Sequence, residues 1–174
     1  MKTLLTFALF ISLGLCISCD LGLGIHEPTE LEKLPPLTTT GENTFGCLVN
    51  GGAFVVTNTS RMSAIYQGGV VQFGAEQEKS NITKSIRLIL DDPLLENTNY
   101  QLGVTSNFRS RYRTRMDPPI CYYEYENTYE GFVEFTNINK SDFTISGTFE
   151  FSTVTADCDT VKITDGRFDM QYIP

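Results

Sequence analysis

The sequence contains no tryptophan and a single histidine, His26. Zinc sites and zinc-hydrolase motifs that need two or more imidazoles are thereby excluded, and any nucleophile–His–acid triad would have to run through His26. Proline and glycine, with 7 and 14 residues, are too sparse for a collagen-like or low-complexity chain. Cations are in the minority: 13 lysines and arginines stand against 21 aspartates and glutamates. The net charge of −8 offers no electrostatic attraction for nucleic acid or for anionic lipid headgroups. No stretch carries the signature of a long amphipathic helix. What is present is a chain of 174 residues, 41% of them hydrophobic, with room for one ordinary core and hence one folded domain.

The only long apolar run lies at the start. Lys2 is followed by residues 4–18, apolar and broken only by small residues, and Asp20 closes the run short of the ~20 residues a spanning helix needs. Residues 1–18 therefore read as a secretory signal peptide. The end of the run, Cys16-Ile17-Ser18-Cys19-Asp20, resembles the lipobox of bacterial lipoproteins. Ser18 is the small residue before the cleavage point, and Cys19 is the thiol that would carry the lipid. Two or three acyl chains hold a protein stably on a bilayer, whereas one chain binds only marginally.

Residues 19–43 read as the lipidated cysteine and a flexible tether. Pro28, Pro35 and Pro36 interrupt any long helix. Thr29 and Glu32 have the spacing of a capping box, enough for a helical turn or two. His26 falls inside this tether and reads as a solvated side chain.

From Phe45 onward the apolar residues recur with a period of two, separated by turn residues at short intervals. The expected fold over residues 44–174 is all-β, an antiparallel β-sandwich or open barrel of about ten short strands. Strands are expected over residues 45–49, 53–56, 70–73, 82–90, 100–105, 108–116, 122–125, 132–135 and 143–151, with a final hairpin over 160–172. In that hairpin Asp165-Gly166 is the dipeptide of a two-residue type I′ turn. The register then sets Ile163 opposite Phe168 and Val161 opposite Met170 on one face, with Lys162 opposite Asp169 on the other. A second hairpin joins 45–49 to 53–56 through Asn50-Gly51 or Gly51-Gly52. Either turn puts Cys47 and Val49 on one face with Phe54 and Val56.

Arg109, Arg111, Arg113 and Arg115 alternate along one segment and form one cationic face if it is a strand. A three-residue loop at 117–119 sets Arg113 opposite Tyr123 and Arg111 opposite Tyr125, for cation–π contact. A slip of one residue sets Arg113 opposite Glu124 and Arg111 opposite Glu126, for ion pairs. The same face suits an anionic ligand such as a phosphate or an acidic sugar, with Arg109, Arg111, Arg113, Arg115, Tyr123 and Tyr125 as the candidate binding residues. Once Cys16 is cleaved away and Cys19 acylated, Cys47, Cys121 and Cys158 remain, and three pairings are open. Cys47 lies on an inferred inward face, so Cys121 with Cys158 is the preferred pair. Thiol catalysis lacks an activating histidine. The clustered aspartates match no EF-hand spacing, and no motif requires a metal or a cofactor. Paired carboxylates of a glycoside hydrolase come from distant strands and leave no local motif.

Three segments, residues 43–51 (NTFGCLVNG), 146–151 (SGTFEF) and 161–169 (VKITDGRFD), follow a lipobox and a short polar tether. This arrangement resembles a family of small Bacteroidetes lipoproteins that carry a domain of unknown function. The resemblance implies an envelope address and an all-β fold, and brings no catalytic residues. The expectation is a non-enzymatic protein of the bacterial outer membrane, attached through its N-terminal lipid, that binds a protein or glycan partner and no nucleic acid. The alternatives are a carbohydrate-active hydrolase using carboxylates and a carrier of a small apolar ligand inside a barrel.

Overall fold

Period-two patterning builds eleven strands among the described residues of a computed structural model, which covers residues 26–115, 120–156 and 158–174. In chain order they are β1 (Thr44–Val49), β2 (Gly52–Val56), β3 (Met62–Gln67), β4 (Val70–Lys79), β5 (Ile82–Asp91), β6 (Asn99–Gln101), β7 (Arg109–Arg115), β8 (Tyr122–Tyr123), β9 (Thr128–Asn139), β10 (Thr144–Thr153) and β11 (Val161–Gln171). They form a six-stranded sheet in the order β2-β1-β11-β10-β9-β6 and a five-stranded sheet in the order β3-β4-β5-β7-β8. Neighbours in both sheets pair antiparallel. The architecture is an all-β sandwich. The signal run, Cys19 and the start of the tether lie outside the described residues.

Inward-facing residues of both sheets fill the space between them. Phe73 of the five-stranded sheet stacks on Phe168 of the other at 4.3 Å between ring centroids and meets the edge of Phe135 at 6.0 Å. Phe45, Phe149 and Phe54 extend the cluster. Each such ring, fully buried, contributes about 1.5–3 kcal/mol of transfer free energy. Cys47 sits opposite Phe54, wholly buried, where burial pushes its thiol far up and keeps it inert.

The first hairpin turns at Asn50-Gly51, both with positive φ (49° and 82°), as a type I′ turn needs. The last one does not exist. Val161 to Gln171 is a single strand, and Asp165-Gly166 forms a bulge within it. On the β1 side the register shifts between Gly46 and Leu48, and on the β10 side between Phe149 and Phe151. One extra residue of β11 is accommodated by Asp165 at φ 53°. Gly166 is required by close approach, because a Cβ there would stand 2.2 Å from the carbonyl oxygen of Phe149. The expected pairing of Lys162 with Asp169 is replaced by a different role for Asp169.

That role corrects the tether. Leu34 and Pro35 are buried, and the Pro35 ring occupies the space a side chain at residue 46 would need. Arg167 donates to the Pro35 carbonyl at 3.1 Å. The amides of Thr40, Gly41 and Glu42 donate to the Asp169 carboxylate at 3.2, 2.8 and 3.1 Å, and Ser146 Oγ donates at 2.6 Å. Burial alone would raise this carboxyl, but the hydroxyls of Ser146 and Thr38 and the amides of Glu42 and Gly41 together hold it below the ordinary value. The capping box forms as spaced: Thr29 N donates to Glu32 at 2.7 Å and Glu32 N to Thr29 Oγ1 at 3.3 Å. From Thr29 on, the segment is a strap laid on the six-stranded sheet.

β3 was not expected from periodicity, because only Ala64 of its six residues is buried. Its free edge is covered by the chain's end: Tyr66 N donates to Ile173 O and Ile173 N to Ala64 O, both at 2.9 Å. At the far edge of the other sheet, Glu30 accepts from Ala53 N at 2.8 Å and Gln77 donates to Val55 O at 3.1 Å. Side chains and the C-terminus thus occupy backbone groups that a bare edge would present to another chain.

Candidate functional site

β7 lies in the five-stranded sheet between β5 and the two-residue β8, so its alternate residues divide cleanly between core and exterior. Ser110, Tyr112 and Thr114 are buried, while Arg109, Arg111, Arg113 and Arg115 face outward. Under the strand, the hydroxyls of Ser110 and Thr128 share a buried hydrogen bond of 2.9 Å that ties β7 to the start of β9.

The partner strand adopts neither expected register. Tyr112 pairs with Tyr123 and Arg113 with Tyr122, one residue away from the stacking register and two from the ion-pair register. Burial explains the choice, because Cys121 and Tyr123 both turn inward and Tyr122 and Glu124 turn outward. Tyr123 is only 3% exposed, packs on Tyr112 and donates its hydroxyl to Asp159 O at 2.6 Å. Burial first, and then the Asp159 charge, raise its phenol above the ordinary value. It lies beneath the arginine face, on the core side of β8, and not among the outward side chains with which it was expected to bind. Cys121, beside it, is joined to Cys158 in a disulfide that ties the β7–β8 connection to the approach of β11.

Both kinds of contact nevertheless form on this face. The Tyr125 ring, in the 3-10 turn Tyr125–Asn127, lies under Arg109 and Arg111, at 5.7 and 5.1 Å from the ring centroid. Arg113 covers Tyr122 at 5.5 Å. Glu124 is shared: Arg113 Nε donates to it at 2.9 Å, and Arg111 approaches its other oxygen at 3.8 Å. Glu124 is held in turn by its own amide, which donates to Asn127 Oδ1 at 2.8 Å. Cross-strand contacts of this kind contribute roughly 0.2–1 kcal/mol each.

Two further arginines complete the face, and neither belongs to the alternating run of β7. Arg87 of β5 is the direct partner of Arg111, and Gly74 of β4 is the direct partner of Arg87. Arg61, in the 3-10 turn Thr59–Arg61 before β3, reaches Glu76 of β4 at 3.2 Å and also pairs with Glu78. Between them runs an open groove of about 530 Å³ whose lining includes five arginines, 61, 87, 111, 113 and 115, and one carboxylate, Glu76. Gly74 lies in its floor. A Cβ there would come within 2.1 Å of Ile86 O, so close strand approach keeps the floor free of a side chain. Arg87 and Arg115 make no ion pair among the described residues. The outward position of Arg87 was readable from the alternation of β5. Its neighbours were not, because the β5–β7 pairing closes over the long connection that contains β6.

Among the described residues no three His, Cys, Asp or Glu side chains gather to hold a metal ion, and no helix is long and apolar enough to cross a membrane. A family model, Domain of unknown function (DUF6252), matches residues 58–170. The matched stretch contains the closing motifs at 146–151 and 161–169 and all of the arginine face, and it begins after the opening motif at 43–51. No curated protein and no solved structure matches the chain.

Proposed function

The chain belongs to the family of that domain of unknown function, and from this premise we propose a lipid-anchored cell-envelope protein whose sandwich binds an anionic partner on the outer face of its five-stranded sheet. The observation that carries this reading is the gathering of arginines from β5, β7 and the turn before β3 on one face of a protein whose net charge is −8. Guanidinium groups offer forked donors that match carboxylate, sulfate and phosphate oxygens. The address rests on the apolar run, on Ser18-Cys19, and on the resemblance to Bacteroidetes lipoproteins. In this reading the lipid anchors the chain at the outer membrane, and the strap from Thr29 fixes how the sandwich is presented.

The two alternatives draw less support. A hydrolase needs a free carboxylate pair in a cleft, roughly 5–10 Å apart, whereas Glu76, Glu78 and Glu124 of this face are each engaged by arginine. A carrier needs open space between the sheets, which stacked phenylalanines occupy here.

Two measurements test the proposal. Intact mass and membrane partition of the wild type beside Cys19→Ala test the anchor: wild type carries the acyl mass and sediments with membranes, and the variant is released. Release of both as soluble protein cut near residue 18 contradicts it. Binding of the full-length protein to acidic and neutral oligosaccharides tests the face: acidic ones bind, more weakly as salt rises. Binding only to neutral ones contradicts it.

A further inference from the structure

Resting on the binding reading above, we propose that Arg87 and Arg111 form an oxyanion seat for a sulfate- or carboxylate-bearing saccharide. The two are direct cross-strand partners on β5 and β7 and both line the groove. Side chains so placed start about 4.5–5.5 Å apart at Cβ, and like charges in this position disfavour the fold. Arg111 shares Glu124 with Arg113, and Arg87 has no ion-pair partner among the described residues. A pair that costs the empty protein stability fits a ligand that supplies the missing negative charge. Two forked guanidinium groups side by side match the oxygens of one sulfate or carboxylate.

The surroundings favour a saccharide as the bearer of that charge. Ser63, Gly74, Arg87 and Arg111 are successive partners across four strands, forming one row over the groove floor. Ser63 and Ser85 line the groove beside the seat, and hydroxyls that both donate and accept suit sugar hydroxyls. Beside Arg113, which lies over its ring at 5.5 Å, Tyr122 is 48% exposed and presents an aromatic surface suited to a sugar ring. A volume of about 530 Å³ lies within the usual range of small-ligand sites, roughly 300–1,000 Å³. The net charge of −8 opposes a long polyanion that would run beyond the groove over the acidic remainder. A short acidic oligosaccharide avoids that repulsion.

The test uses the full-length protein in detergent and calorimetric titration with a sulfated tetrasaccharide, its desulfated counterpart, and vesicles containing phosphatidylglycerol. Wild type binds the sulfated probe and not the desulfated one. Arg87→Gln weakens binding by about tenfold or more, as loss of a charge-assisted contact should, while its melting temperature stays at or above that of wild type. Arg87→Lys, which keeps the charge without the planar fork, falls between. Lys162→Gln, an equal charge change on the other sheet, binds as wild type. If wild type binds the sulfated probe and Arg87→Gln binds it equally well, the seat is wrong and the broader arginine face survives. If wild type binds no anionic probe, the broader reading fails with it. Vesicle binding that Arg87→Gln abolishes, with no saccharide binding, assigns the seat to a lipid headgroup and overturns the saccharide.

Discussion

Asp169 shows how much can depend on one residue. It is 1% exposed and accepts from three successive amides of the strap and from Ser146, so its charge is needed where it sits. Its carboxyl is held below the ordinary value, so its contribution to stability is complete above about pH 4, the usual aspartate value. That contribution is lost as pH falls further through the folded value. Asp169→Asn puts an amide N–H against donors and should cost on the order of 2–3 kcal/mol at neutral pH, with a flatter loss of stability below pH 4. Urea unfolding across pH measures both, and a variant within about 0.5 kcal/mol of wild type would show the latch to be incidental. Asp169 was not readable as a latch from sequence. Its strap partners lie 127–129 residues away in a segment whose prolines and threonines have the composition of a tether.

The last strand marks the limit of reading elements from local pattern. A two-residue turn and a one-residue bulge both reverse the alternation of faces, so Val161 and Ile163 share the core with Phe168 and Met170 in either case. Only the partners decide between them, and β11 is paired along its length with both β1 and β10. The first hairpin was legible because its turn and its partner strand are adjacent in sequence, and Asn50-Gly51 carries the positive φ values itself. The register of β7 against β8 was not, because it follows from which of Cys121, Tyr122 and Tyr123 turn inward. For the bulge, Gly166→Ala drives a methyl into Phe149 and should cost roughly 1–3 kcal/mol. Asp165→Asn keeps a residue tolerant of positive φ and should stay within about 0.5 kcal/mol. Thermal unfolding of both variants checks this; equal effects at the two positions would contradict the bulge geometry.

At the scale of the whole molecule, the two sheets differ in what covers their outer faces. The six-stranded sheet carries the strap on its outer face, latched by Asp169, and so connects to the segment that leads back toward Cys19. The five-stranded sheet leaves its outer face open, with the arginines of β5 and β7 around a floor that Gly74 keeps low. The all-β sandwich followed from period-two alternation spread over the whole domain, a signal that local errors in turn or register do not erase. The four alternating arginines of β7 were equally visible. Arg87 joined them only through the β5–β7 pairing, and Arg61 through the turn before β3 that lines the same groove. Whether a ligand binds this open face is read from a titration of nitrogen-15-labelled protein with the sulfated tetrasaccharide. Binding there shifts the amides of Ser63, Gly74 and residues 85–87 and 111–115; shifts confined to the strap and the six-stranded sheet, or none at all, place no ligand on the arginine face.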